Sequence, residues 1–143
     1  MPATPASIAP ILLAYDGSAP AEHAFAYALD LARWTRRPLH AVTVLDLAPE
    51  YAAGTGGADD ALVGECEAAL TRLRDQAAAA NITLTSRVAV GPPALLLLQE
   101  LRAVSAAHVV IGHTEKGVLM RWLAGSVSRS LLDEARVPVT LVP

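Results

Sequence analysis

Aromatic side chains are scarce in this chain of 143 residues: Tyr15, Phe25, Tyr27, Trp34, Tyr51 and Trp122 are all of them. So few rings argue against a base-stacking platform for single-stranded nucleic acid. A cationic surplus is also lacking. Lys and Arg number 11 against 14 Asp and Glu, a formal charge of −3, which leaves no basic footprint for DNA or RNA. The one cysteine, Cys66, rules out an intramolecular disulfide and suits a reducing compartment. No uninterrupted apolar run is long enough to span a bilayer, and Met1 to Ser7 has no cationic start. Neither membrane attachment nor a secretory signal is expected, and the expected location is cytoplasmic. His23, His40, His108 and His113 show no metal-ligand spacing, so no metal site is expected. Hydrolase-elbow and P-loop glycine patterns are missing.

What is present is a globular composition, 53% hydrophobic and 17% charged, of a size suited to one core. Residues 1–9 read as a flexible Pro/Ala arm and residues 10–143 as a single domain. Ile11 to Tyr15 is a short apolar run closed by the turn signal Asp16-Gly17-Ser18, which predicts a buried strand. From Ala19 to about Trp34, the residues Ala21, Ala24, Phe25, Ala28, Leu31 and Ala32 recur at helical spacing. A second strand follows from His40 to Leu45. The Pro- and Gly-containing stretch Asp46 to Gly57 reads as a long loop of the kind that forms lids.

A second helix carries Leu62, Cys66, Ala69, Leu70, Leu73 and Ala77 along one stripe, which predicts a buried, inert thiol. Ile82 to Val90 predicts a third strand, Ala94 to Val104 a third helix behind Pro92-Pro93, and Ala107 to Ile111 a fourth strand. Ser126 to about Ala135 predicts a fourth helix and Val137 to Val142 a fifth strand. Strands alternating with helices imply an α/β fold, an open five-stranded parallel sheet with helices on both faces. Ligands of such sheets bind outside the carboxyl ends of the strands, where strand order reverses.

The candidate functional residues fall at those ends. Asp16, just past the first strand, offers a carboxylate to a ribose hydroxyl or an adenine amine; ordinary turn and helix-capping chemistry explains it slightly better. Gly112 ends the fourth strand, where a glycine lets backbone approach a ligand. Gly125-Ser126 opens a helix whose N–H groups favour an anion. Lys116 and Arg121 could add charge-assisted contacts to phosphate. Glu115 sets a carboxylate in the same loop. Arg36-Arg37 reads as a solvated pair complementing a helix end. Apart from Asp16 and Glu115 nothing resembles a general base, and neither has an orienting partner in the sequence, so an enzyme is not expected; slow nucleotide hydrolysis ranks last.

Ile11-Leu12-Leu13-Ala14-Tyr15-Asp16-Gly17-Ser18, Val44-Leu45-Asp46, and Val109-Val110-Ile111-Gly112 through Gly125-Ser126-Val127-Ser128 resemble the universal stress protein family, in order and over nearly the whole chain. The resemblance implies a Rossmann-like (nucleotide-binding, α-hydrolase-like) domain and a stress-associated regulatory role. Members that bind ATP carry G-x2-G-x9-G-[ST]. Gly112 and Gly125-Ser126 match its ends, Glu115 stands at its second glycine, and Gly117 does not restore the register. By resemblance, Ala14, Asp16 and Val44 line an adenosine pocket, while Gly112, Gly125, Ser126 and Val127 meet ribose and phosphates. The expectation is weak or conditional binding of ATP, ADP or AMP, with or without Mg. The alternative is a nucleotide-free dimeric interaction module, favoured by Glu115. A homodimer through Val137 to Val142 is expected in either case, with the protein partner unknown.

Overall fold

In the computed structural model, residues 8–45, 57–112 and 133–143 are described. The elements are β1 (Ile11–Ala14), α1 (Ala19–Thr35), β2 (Leu39–Leu45), α2 (Gly57–Ala79), β3 (Leu84–Val90), α3 (Pro93–Ala103), β4 (His108–Gly112) and β5 (Val139–Val142). All pairings are parallel, in the order β3-β2-β1-β4-β5. The chain thus steps outward from β1 to β3, crosses back, and continues on the other side through β4 and β5. The α/β architecture expected from the alternation of strands and helices is the one observed.

Two apolar layers flank the sheet. Ile11, Leu13, Leu39, Ala41 and Val110 face α1 and α2, while Leu12, Val42, Val109 and Ile111 face Leu97 and Leu101 of α3. Strand alternation sorts these side chains: successive residues point to opposite faces. β1, at the centre, is apolar on both faces and fully buried from Ile11 to Leu13.

Helix α1 begins at Ser18, whose Oγ accepts from the Ala21 N–H at 3.2 Å, with Pro20 in the first turn. Its sheet-facing stripe is mostly alanine, and Ala21, Ala24, Ala28 and Ala32 are all buried. These small side chains let the helix axis lie close to the strands. α1 stops where Arg36 turns left-handed (φ 55°) and donates its N–H to the Ala32 carbonyl.

Helix α2 departs from the expected pattern. Leu70, Leu73 and Ala77 are buried, but Leu62 is exposed and Cys66 only half-buried. The cause is length: 23 residues make a helix of about 35 Å, whereas a seven-residue strand spans about 23 Å. The first turns overhang the sheet. Burial, and then the Glu65 charge, push the Cys66 thiol above its ordinary value. Strand β5 starts at Val139 rather than Val137, since Pro138 has no N–H to give the ladder; its carbonyl still accepts from Val109 at 2.9 Å. Of the expected loop 46–57, residues 46–56 lie outside the described residues and Gly57 already belongs to α2. Nearly all of the expected fourth helix lies outside them too; its residues 133–135 are described and helical.

A buried polar chain crosses the α3 face. His40 on β2 contacts Thr85 Oγ1 through Nδ1 and Glu100 Oε2 through Nε2, each at 2.7 Å. Arg87 donates to Glu100 Oε1 at 2.7 Å. Both Glu100 oxygens and both His40 nitrogens are therefore partnered, which offsets the cost of burying them. No described helix is long and apolar enough to cross a membrane.

Candidate functional site

Strand order reverses between β1 and β4, and the crevice of an open parallel sheet lies outside the carboxyl ends at that point. The residues there are built in layers. Ala14 closes β1 opposite Val42 and Ile111. Ala14 and Val44 pack on the α3-side layer and stay partly open, forming an apolar ledge at the strand ends. Just beyond, the chain turns through Gly17, whose φ of 81° favours glycine over residues with a side chain.

Asp16 is exposed and its orientation is set locally. Its Oδ1 accepts from the Ser18 N–H at 2.9 Å and from Ser18 Oγ at 2.5 Å. Oδ2 has no hydrogen-bond partner among the described residues. The turn role and a ligand role are therefore compatible: one oxygen holds the turn while the other is directed by it. This is an acceptor suited to hydroxyl groups, since a fixed carboxylate accepts hydroxyl hydrogen bonds at little further ordering cost.

Gly112 has a different structural reason than close ligand approach. A Cβ built on it would lie 2.6 Å from Ala21 N, 2.6 Å from Pro20 C and 2.7 Å from Pro20 O. The space is filled by the first turn of α1. Glycine is thus needed for β4 and α1 to pack, and the carboxyl end of β4 lies against the first turn of the helix that follows the Asp16 turn. Glu115, Lys116, Arg121, Gly125, Ser126 and Val127 lie outside the described residues.

Beneath the turn lies a cluster that no local sequence signal announced. The Tyr15 hydroxyl donates to Glu22 Oε1, and Arg72 Nη2 donates to Tyr15 Oη at 2.8 Å and to Glu22 Oε1 at 2.5 Å. Thr43 Oγ1 donates to the Tyr15 carbonyl at 2.8 Å, and the Tyr15 N–H bonds the Val42 carbonyl at 2.9 Å. The end of β1 is thereby pinned from α1, α2 and β2. Burial, then the Glu22 hydrogen bond and charge, push the Tyr15 phenol up to about 12, so it stays neutral and donating. Burial alone would raise Glu22, but hydrogen bonds from Tyr15 and Arg72 and the Arg72 charge outweigh it and hold the carboxyl below its ordinary value. Strand alternation does send Tyr15 to the same face as Ile11 and Leu13; Arg72, 57 positions away, had no such marker. Among the described residues no three His, Cys, Asp or Glu side chains cluster in a way that could hold a metal ion.

Comparison with known proteins matches this geometry to a family. The universal stress protein family model covers residues 8–143. A universal stress protein of Mycobacterium tuberculosis is 31% identical over 132 residues, 92% of this chain and 47% of that protein, so the chain spans about half the length of the curated relatives it matches. A crystal structure from the family in Burkholderia pseudomallei superposes with a TM-score of 0.70 at 28% identity, covering 99% of both chains. A universal stress protein from Archaeoglobus fulgidus in complex with dAMP has a TM-score of 0.69 at 23% identity over 96% of this chain and 99% of that one. With the five-stranded order, the pinned Asp16 turn and the match over residues 8–143, the chain belongs to the universal stress protein family.

Proposed function

We propose that this chain is a regulatory module that binds an adenine nucleotide, weakly or conditionally, in the crevice outside the carboxyl ends of β1 and β4. The observation that carries the reading is the reversal of strand order at β1 and β4, with the oriented Asp16 carboxylate standing at that point. The dAMP held by the Archaeoglobus fulgidus protein of the same fold supports the ligand class. In this reading the base rests on Ala14 and Val44, and Asp16 accepts from a ribose hydroxyl. Gly112, Gly125, Ser126 and Val127 supply backbone and hydroxyl contacts to ribose and phosphate.

Glu115 then sets the order of preference among nucleotides. Two like unit charges about 4–6 Å apart repel by roughly 1 kcal/mol in water and roughly 3–4 kcal/mol at an intermediate dielectric. That is about one to three powers of ten in affinity. A triphosphate places more charge near the loop than a monophosphate, so AMP is disfavoured least, and Mg helps ATP by offsetting charge.

The same sheet supports a proposed homodimer. β5 is its edge, with Val139 and Leu141 exposed, and a parallel edge with unpaired backbone groups can accept a second copy. Residues 137–142 are the proposed homodimer strand.

Calorimetric titration with AMP, ADP and ATP, with and without Mg, tests the nucleotide reading. Binding of AMP, with ATP weaker and strengthened by Glu115→Gly, is the expected result. Absence of heat for all three at millimolar ligand would leave the nucleotide-free interaction module standing instead.

A further inference from the structure

We propose that the opposite, amino-terminal end of the sheet is a docking surface for an acidic segment of a partner protein that also carries apolar side chains. A cleft of about 690 Å³ opens there, where the chain enters β1, β2 and β3 and where α1 and α2 end. Its lining combines apolar Ile8, Ala32, Pro38 and Ile82 with the cationic Arg33, Arg36 and Arg37.

The charge of that lining exceeds what the fold requires. Two helix carboxyl ends converge on the cleft, each equivalent to about −0.5 charge, against three guanidinium charges, so roughly two positive charges remain. Among the described residues none of the three arginines pairs with a carboxylate; Arg72, Arg87 and Arg102 do, and Arg74 and Arg136 do not. Two of the three are held locally, one at its backbone and one at its side chain. Arg36 is fixed in the left-handed cap, and Arg37 Nη1 donates to the Ala9 carbonyl at 3.0 Å. The chain as a whole carries −3, so this end is a local reversal of sign.

A second groove, of about 310 Å³, runs along the other flank of the same helix end and is lined by Tyr27, Asp30, Leu31 and Trp34. Trp34 is 88% exposed, and Tyr27 and Leu31 share its helix face. Arg, Trp and Tyr are the residue types in which binding energy concentrates at protein interfaces. Asp30 lies on the Trp34 side, which gives the surface a direction: carboxylates toward the arginine cleft, apolar side chains toward Trp34. A nucleic acid fits less well, because the negative chain repels a polyanion and a single exposed Trp offers one stacking position. The surface lies at the end of the strands opposite to Asp16, so its occupant and a nucleotide do not compete for space.

Fluorescence anisotropy with the full chain tests this, using a short labelled peptide that alternates glutamate with leucine and phenylalanine. Binding in the range of about 10–100 μM is expected. The same peptide with glutamine for glutamate should bind about ten-fold more weakly. Arg33→Glu and Trp34→Ala, both at exposed positions, should each weaken binding of the acidic peptide by about ten-fold, with melting unchanged for Trp34→Ala and only slightly lowered for Arg33→Glu, which sets a carboxylate at the helix carboxyl end. Equal binding of the two peptides, no effect of either substitution, or a dissociation constant above about 1 mM overturns the proposal. Tighter binding of a uridine-rich RNA oligonucleotide overturns it in favour of nucleic acid. Self-association that Trp34→Ala abolishes, without peptide binding, overturns it in favour of a second copy.

Discussion

Replacing Gly112 with alanine separates a packing role from a ligand role. The new Cβ would sit 2.6–2.7 Å from three backbone atoms of Pro20 and Ala21. Ordinary carbon contacts lie at about 3.5–4.0 Å, so the overlap approaches about 1 Å. Those atoms have little room to yield. Ser18 caps the same turn at 3.2 Å, and the Glu22 N–H bonds the Ser18 carbonyl at 3.0 Å. The helix as a whole must lift, loosening the buried contacts of Ala21, Ala24 and Ala28. Overpacking of this kind costs about 1–3 kcal/mol. Without the clash, alanine in place of glycine would instead stabilise by about 0.4–1 kcal/mol through the unfolded chain, so the sign of the effect is diagnostic. Urea unfolding followed by circular dichroism should show the midpoint falling with unchanged slope, and the melting temperature dropping by roughly 3–12 °C. A Gly112→Ala chain as stable as the parent, or more so, but with diminished nucleotide affinity, would refute the packing account and return the space to the ligand.

The Glu100 carboxylate, 5% exposed and shared by His40 and Arg87, should be costly to remove. Glu100→Ala is expected to lose about 1–3 kcal/mol in urea unfolding, because it leaves the buried His40 Nε2 without its partner while Arg87 can turn to solvent. Arg87→Ala should cost at least as much, because although that guanidinium is 63% exposed, its loss leaves the buried Glu100 Oε1 without its charged partner. The Tyr15 phenol, raised to about 12, titrates above its ordinary value of 10.0, so the folded state favours its neutral form. Its stabilisation is complete below pH 10 and is lost as pH rises toward 12, a fall of order 2 kcal/mol that Tyr15→Phe should remove from the alkaline limb of a stability–pH curve. Glu22 has the opposite sense: its lowered value adds stability above the ordinary carboxylate range that disappears on acidification, and Arg72→Ala should flatten this limb. Burial lowers His108, whose Nε2 lies 2.6 Å from Thr140 Oγ1. The neutral ring is favoured on folding, so acidification from about neutral should weaken the β4–β5 pairing, read by hydrogen exchange of the β5 amides, and His108→Gln should abolish that dependence.

The main elements of the fold were legible because their signals are local. The alanine stripe of α1, the apolar run of β1 and the Asp16-Gly17-Ser18 turn each lie within a few neighbouring residues, and each stands where its pattern placed it. Boundaries shifted where a local pattern ran past its support, as in α2, whose apolar stripe continues to Leu62 although the sheet beneath it does not. The candidate site was legible in position more than in cause. Gly112 was identifiable as a glycine at the end of a strand, but the identity of the atoms filling its missing side chain depends on how α1 packs across the sheet. The Tyr15–Glu22–Arg72 and His40–Glu100–Arg87 clusters join residues from separate elements, and no periodicity within one element encodes a partner on another.

The central claim, that an adenine nucleotide occupies the crevice between β1 and β4, is tested most directly by titrating AMP into the isotope-labelled chain and following amide resonances. The account predicts saturable shifts at Ala14, Asp16, Gly17, Ser18 and Gly112, with Arg33, Arg36 and Arg37 at the far end of the sheet unmoved, and their loss in Asp16→Ala. Shifts confined to the arginine cleft, or no shifts at millimolar AMP, would contradict it.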